Sequence, residues 1–223
     1  MTVRLERPDG VLFDLDGTLL DSAPDLIAAL ERFTHGLGVA MPDPGRVRAV
    51  VSAGGSAILR AAWPDASPER IAALLPDYLA IYAGMLAKQS TLFPGMGALL
   101  DALEGAGLRW GIVTNKIEAL TLPLLEQLGL ARRAGAVVCG DTLDRKKPDP
   151  APLLHACARL AVPAARCVYV GDDRRDVEAA RAARMRSIVV GWGYGVGEGP
   201  EHWGPDLLLQ TPDELFAALG LQR

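Results

Sequence analysis

Two aspartates, Asp14 and Asp16, stand at the end of an apolar run in the segment VLFDLDGTLLDS, residues 11–22. A lone buried carboxylate costs several kcal/mol unless something pairs with it. Two like charges two residues apart cost more, so the pair makes sense where a cation or a reaction needs it. A carboxylate can attack phosphorus to give an aspartyl-phosphate. That attack brings two anions together and calls for a divalent cation. Mg2+ suits carboxylates, carbonyls and phosphate oxygens. A second carboxylate can protonate the leaving oxygen. Side chains two apart on a strand share a face, so both aspartates are expected to reach one cation. Gly17 permits a tight turn, and Thr18 adds an amide and a hydroxyl. The competing reading is an acidic strand-to-turn junction with both aspartates solvated.

Other strand ends decide between them. LRWGIVTN (108–115) reads as a strand ending in Thr114 and Asn115, whose hydroxyl and amide can bond phosphate oxygens. Taken alone, Thr-Asn is an ordinary helix N-cap. Lys147 in RKKPDP (145–150) is fixed before a proline and can neutralise phosphate, whereas Arg145 and Lys146 read as a basic surface loop. RCVYVGD (166–172) ends in Asp172, placed like Asp14 and able to complete a metal site. Asp173 and Asp176 follow, where helix N-terminal carboxylates meeting the dipole are the plain alternative. Four strand ends carrying phosphate-competent groups imply one shared ligand.

The elements that must position these groups alternate. Strands are expected at 108–115, 136–140, 166–172, 187–193 and 206–209, and helices at 94–103, 117–128, 150–160, 174–184 and 212–219. Such β-α repetition predicts an α/β fold: a doubly wound, Rossmann-like parallel sheet covered on both faces. Residues 21–89 break the pattern. They read as helices at 24–35, 45–51, 55–62 and 68–88, with no strand, separated by GLG, MPDPG, GG and WPDASP. The expected organisation is a core of residues 1–20 and 90–223 carrying a helical cap of residues 21–89, with hinges near Leu20–Ser22 and Gln89–Leu92. A block inserted there hangs over the carboxyl end of the first strand, where open α/β sheets bind ligands.

Composition narrows the classes. The chain has 223 residues, half of them apolar, enough to bury a full core. A net charge of -4 argues against nucleic acid as a partner, but not against a small phosphate ester. No apolar run approaches the roughly 18 residues of a membrane span, and the first residues hold no signal-peptide core. Cys139, Cys157 and Cys167 form no CxxC pair and read as buried thiols of a reducing, cytoplasmic compartment. Monomer and homodimer are not distinguished.

DLDGTLLDS, VTN, KKPDP and VGDDRRDVEAA together resemble the four ordered motifs of the haloacid-dehalogenase-like hydrolase superfamily, over essentially the whole chain. PGM (94–96), WGIVTNK, KPDPAPLL, GDDRRDVEAARAA and GWGYG resemble phosphoglycolate phosphatases. VSAGG (51–55), WGIVTNK and EHWGPDLLLQTPDEL (201–215) are also similar to N-acetylmuramic acid 6-phosphate phosphatases. The resemblance implies an Mg2+-dependent phosphatase of a small phosphorylated metabolite, phosphoglycolate first, with the amino-sugar phosphate or another sugar-phosphate phosphatase or mutase as the alternative. It implies Asp14 as nucleophile and metal ligand, and Asp16 as general acid and then base, its backbone carbonyl on the metal. Thr114 and Asn115 would hold the phosphoryl group, and Lys147 would balance charge. Asp172 would be the second carboxylate ligand, and Asp176 would orient a metal-bound water or Lys147. No role passes to Asp173. Arg184 stands where the family usually has glycine, which puts the local turn in question.

In the cap, Gly54 and Gly55, beside Arg48 and Ser52, are the candidate substrate-facing loop; a plain helix–helix turn is the alternative, and the stronger one for Arg48. His35 reads as a helix-end residue, GWGYG as a strand-end loop or core, and the arginines of 174–186 as a mostly solvated face. Asp16 and Asp172 disfavour a dehalogenase, which needs neither acid nor metal. The long insert disfavours a phospho-acceptor signalling module, which needs no lid.

Overall fold

The computed structural model describes residues 7–195 and 199–221. Residues 1–6, 196–198 and 222–223 of the expected core lie outside the described residues. Six parallel strands form one sheet in the order β5-β4-β1-β6-β7-β8. They are β1 (Gly10–Phe13), β4 (Arg109–Val113), β5 (Ala136–Val138), β6 (Cys167–Gly171), β7 (Arg186–Val190) and β8 (Leu207–Leu209). β1 is central, pairing Phe13 with Ile112 on one side and with Val170 on the other. The chain winds outward through β4 and β5, then returns across β1 to β6. The β1–β6 seam is therefore the point where the winding reverses and where such sheets leave a crevice.

Period-two alternation builds the two layers. Val11 and Phe13 face one apolar cluster and Leu12 the other; Val168 and Val170 oppose Tyr169 in the same way. Helix α5 (Met96–Gly105) and helix α9 (Pro212–Ala218) cover the first face, and α7 (Ala151–Leu160) and α8 (Arg174–Ala182) the second. α6 (Glu118–Gln127) follows β4. The three cysteines are buried and free. No helix among the described residues is long and apolar enough to cross a membrane.

The insert folds as α1 (Ala23–Gly36), α2 (Pro44–Arg48), α3 (Gly55–Ala62) and α4 (Pro68–Ala83), with α1 and α3 both packed on α4. Three expectations need correction. The helix expected over 68–88 stops at Ala83, capped by Gly84, and the chain turns through Ala87 at φ 55°. The stretch 45–51 is only a short helix followed by a single 3-10 turn at Val51–Ala53. A strand pair stands where none was expected: β2 (Leu20–Asp21) lies antiparallel to β3 (Thr91–Leu92) and ties the two crossings together. Two-residue strands have no readable period. Beside them, buried Asp25 accepts from the Gln89 and Ser90 amides, each at 2.9 Å, and from the Ser90 hydroxyl at 2.6 Å. One carboxylate thus fastens the start of α1 to the returning chain.

The strand expected over 187–193 ends at Val190, because residues 191–195 peel off the sheet toward Asp172. Arg184 holds φ 56° just beyond α8, and its neighbours close the turn with Met185 N donating to Ala180 O at 2.9 Å. An L-residue pays a steric cost in this left-handed position, which glycine avoids. Arg184→Gly is therefore expected to stabilise the protein by about 1 kcal/mol, raising the thermal midpoint by about 2–4 °C. A lowered midpoint in a thermal melt would count against this account of the turn.

Candidate active site

β1 ends at Phe13, so Asp14 begins the loop; its amide still bonds Val170 O at 2.8 Å. Gly17, at φ 89°, turns the chain back so that its amide reaches Leu20 O at 3.0 Å. A side chain on Gly17 would collide with the Asp172 carboxylate. Asp14 and Asp16 consequently do not share a strand face, which corrects the expectation that both carboxylates reach one cation. Asp16 points away and is held by Lys116 Nζ, 3.1 Å from each of its oxygens, and by the Ser22 hydroxyl. Only its backbone carbonyl faces the carboxylates, by way of Ser52 Oγ at 3.4 Å.

The group that does converge is Asp14, Asp172 and Asp176, whose carboxylate oxygens lie within 4.8 Å of one another. All three are buried. Asp172 Oδ1 accepts from Thr18 Oγ1 at 3.0 Å. Its Oδ2 accepts from Ser52 Oγ at 2.8 Å, Tyr194 N at 2.8 Å and Gly195 N at 3.2 Å. Lys147 Nζ lies 2.8 Å from both Asp14 and Asp176 and 2.7 Å from Tyr169 Oη. An all-oxygen donor set is what a hard divalent cation takes.

Thr114 and Asn115 follow β4. Thr114 Oγ1 accepts from the Lys116 amide at 3.1 Å and retains its own proton to donate. Asn115 lines the cavity, but both ends of its amide are bonded, at 3.0 Å each, to the main chain of Lys147. It positions the lysine here, where the sequence suggested a direct phosphate contact.

Asp14, Asp176, Thr114, Asn115 and Lys147 form the floor of a cavity of about 260 Å³ beneath the insert. Its walls include Leu26, Ile58, Leu75, Leu79 and Leu120, together with Gly54 and Gly55. Gly54 holds φ 86°. Gly55 lets α3 approach α4, since a Cβ there would stand 2.8 Å from Leu75 Cδ1. Arg48 does not enter the cavity: it pairs with Asp21 at 3.0 Å and lies over the Tyr194 ring. His35 is exposed at the end of α1.

Three contributors went unread in the sequence. Lys116 is one, although it directly follows Thr-Asn. Ser52 was named only as a neighbour of the glycines. Arg175 was assigned to a solvated face, yet it lines the cavity, grips Asp173 through two nitrogens at 2.8 Å, and donates to Ser52 O at 2.7 Å. Asp173 received no catalytic role, and the plain alternative of a helix N-terminal carboxylate holds for it: it caps α8 and also holds Arg175. Lys116 carried a signal, a cation next to the Thr-Asn pair; the others depend on how the insert lies.

Burial sets the charge states. Burial, then the neighbouring Asp176 and Asp172 charges, push Asp14 up to about 8 despite Lys147. Burial and Asp176 push Asp172 up to about 6. Burial works against the Lys147 charge, but Asp14 and Asp176 outweigh it and hold the ammonium above its ordinary value.

A doubly wound sheet with a buried carboxylate cluster at its switch point and a helical roof defines a hydrolase-type site. The haloacid dehalogenase-like hydrolase family model matches residues 11–190, and the chain belongs to that family. It is 45% identical over 210 residues to a phosphoglycolate phosphatase of Xanthomonas campestris pv. campestris, covering 94% of this chain and 95% of that one. It is 42% identical over 216 residues to the N-acetylmuramic acid 6-phosphate phosphatase of Pseudomonas aeruginosa, covering 96% and 95%. The crystal structure of a predicted phosphoglycolate phosphatase from Haemophilus somnus superposes with a TM-score of 0.84 at 23% identity, covering 95% and 98%, and shares the fold.

The raised carboxyls yield a pH test. The unfolded chain releases these protons near pH 4, whereas the folded chain holds them until about pH 6 and 8. Between those values the folded state binds more protons, so its stability falls as pH rises. The raised Lys147 loses its contribution only above this window. In EDTA the thermal midpoint is expected to drop between about pH 5 and pH 8. Mg2+ needs the ionised ligands and is expected to lift the midpoint more at the higher pH. No lift, or an equal lift at both, would rule against a cation at this cluster.

Proposed function

We propose that the chain is an Mg2+-dependent phosphoric monoester hydrolase that works through an aspartyl-phosphate on Asp14. The observation that carries this reading is the Asp14 carboxylate, set against Lys147 and beside Asp172 and Asp176 on the floor of a roofed cavity. Mg2+ held by Asp14, Asp172 and the Asp16 carbonyl, with Asp176 adjacent, would screen the nucleophile from the phosphoryl oxygens.

Lys147 and the Thr114 hydroxyl receive the phosphoryl oxygens, while Asn115 holds Lys147 in place through its main chain. An Asp14 oxygen attacks phosphorus and the ester P–O bond breaks. The incoming anion draws the Lys116 ammonium away from Asp16, and the carboxylate left without its cation takes up a proton from solvent. Asp16 gives that proton to the departing alkoxide, which leaves as the alcohol. Asp16 then takes a proton from water as that water attacks phosphorus, the aspartyl P–O bond breaks, and phosphate departs. Residues 21–89 act as a cap hinged near Leu20–Ser22 and Gln89–Leu92, excluding water during attack and opening for release.

Phosphoglycolate, which the 45% identical relative is named for, is the first substrate. The cavity favours a second reading. At about 260 Å³ it nears the roughly 300–1,000 Å³ of pockets for drug-sized ligands, and its roof is aliphatic. A two-carbon acid fills little of that room, whereas N-acetylmuramic acid 6-phosphate, named for the 42% identical relative, can cover the apolar wall. Both candidates are acids, with a carboxylate on the alcohol.

Phosphate release with Mg2+, measured on both acids and on p-nitrophenyl phosphate, tests the reading. Turnover of at least one is expected. Asp14→Asn is expected to reduce it by more than about a thousandfold with an unchanged circular dichroism spectrum. Residual activity within about tenfold of the parent would remove Asp14 from the role of nucleophile.

A further inference from the structure

We infer that the end of the cavity between Arg175 and the N-terminus of α3 is a carboxylate site, which selects phosphate monoesters whose alcohol carries an acid. The inference rests on the phosphatase reading above and adds what the enzyme recognises in the alcohol.

Arg175 is fixed before any ligand arrives. Nε and Nη2 grip Asp173, and Nη2 also reaches Ser52 O. Among the described residues Nη1 makes no hydrogen bond, although the side chain is about two-thirds buried and lines the cavity. With Nε and both Nη2 protons taken, Nη1 is the free, fixed, charge-assisted donor for one carboxylate oxygen, which leaves the second oxygen for the α3 amides.

The opposite wall supplies uncapped amides. α3 starts after Gly54, which has no side chain to cap it, and no side-chain bond closes the helix start. The amides of Gly55 and Ser56 have no acceptor within the helix. Both residues line the same cavity, and the helix dipole favours an anion there. Ser52 O, bonded to Arg175, lies just two residues before Gly54, so the two walls are joined.

A third observation points independently to a ligand. Tyr82 also lines the cavity and is fully buried; among the described residues its hydroxyl has no partner within ordinary hydrogen-bond distance, and the charge beside it is the Lys116 ammonium. Such a group pays its desolvation unless a ligand oxygen satisfies it. Lys116 lies over its ring at 4.7 Å and so marks the Asp16 side of the cavity. The alcohol thus lies between Tyr82, near the leaving oxygen, and Arg175, at the acid.

Matched pairs test this with Mg2+ present. Phosphoglycolate is set against its amide, and N-acetylmuramic acid 6-phosphate against N-acetylglucosamine 6-phosphate, the same sugar without the lactyl acid. The readout is the ratio of kcat/KM, acid over neutral partner; the pair with the larger kcat/KM identifies which acid is used. In the parent the ratio is expected to be at least about tenfold for that pair. Arg175→Gln is expected to bring it close to unity. Ser56→Asp places a like charge in the site at a helix start that favours Asp for folding, and is expected to bring the ratio to unity or below. If Arg175 only supports the cap loop, acid and neutral partner fall together and the ratio holds, which overturns the site. So does a parent ratio within about twofold of unity while p-nitrophenyl phosphate is still hydrolysed with Mg2+ and Asp14, a result that leaves the phosphatase reading standing. An unchanged ratio in Ser56→Asp overturns it even if Arg175→Gln fails to fold.

Discussion

Three carboxylates buried around one point repel one another, and the rest of the structure is arranged to tolerate that. Asp14, Asp172 and Asp176 come from two neighbouring strands and one helix start, and a single ammonium, Lys147, answers two of them. Burial alone would neutralise such acids by protonation. Asp14 and Asp172 are pushed that way, and the four hydrogen bonds Asp172 accepts, from Thr18, Ser52, Tyr194 and Gly195, offset only part of its desolvation. A bound cation would supply what the donors leave over. The cluster is therefore unfavourable for folding and suited to binding, a trade found where carboxyls with perturbed protonation gather at a functional site.

That tolerance explains features that otherwise look unrelated. Gly17 and Gly193 have no side chain because one would strike Asp172, and Gly171 because one would strike Asp176. The loop after β7 abandons the sheet to offer two amides to Asp172. Tyr169 stands under Lys147 and donates its hydroxyl hydrogen bond to Val113 O at 2.7 Å, tying the ammonium to the floor of the sheet. Each of these departures surrounds a charge.

The sheet and the groups at its strand ends were legible because they obey local rules. Short apolar runs ended by Asp14, Thr114 and Asp172 announce both a strand and its functional edge. Asn115 was legible as a site residue but not in its role, since its amide is claimed by the main chain of Lys147, 32 positions away. Nothing in the sequence singles out Asp25, yet it binds Gln89 and Ser90. Arg175 looked solvated because its helix is charged, and only the descent of the 51–54 turn onto the core brings it indoors. Partners chosen by the packing of one segment on another leave no period and no spacing to read.

The same descent gives the proposed cap two kinds of attachment. At the hinge it is held by main-chain pairing of Leu20 with Leu92 and by the three-donor grip of Asp25. Neither contact needs the active site to be filled. Over the floor it is held by Ser52, whose hydroxyl donates to Asp172 and whose carbonyl accepts from Arg175, and by Tyr82 against Lys116. Every one of those groups also faces the cavity or the carboxylates. A substrate that enters must compete with Ser52 for its neighbours, and with Asp16 and Tyr82 for Lys116. If the proposed cap closes as described, the contacts that hold it are the ones a ligand would replace, so closure and binding would draw on the same donors. The buried Tyr82 hydroxyl beside Lys116 fits that proposal: a polar atom over the cavity that a ligand oxygen would satisfy.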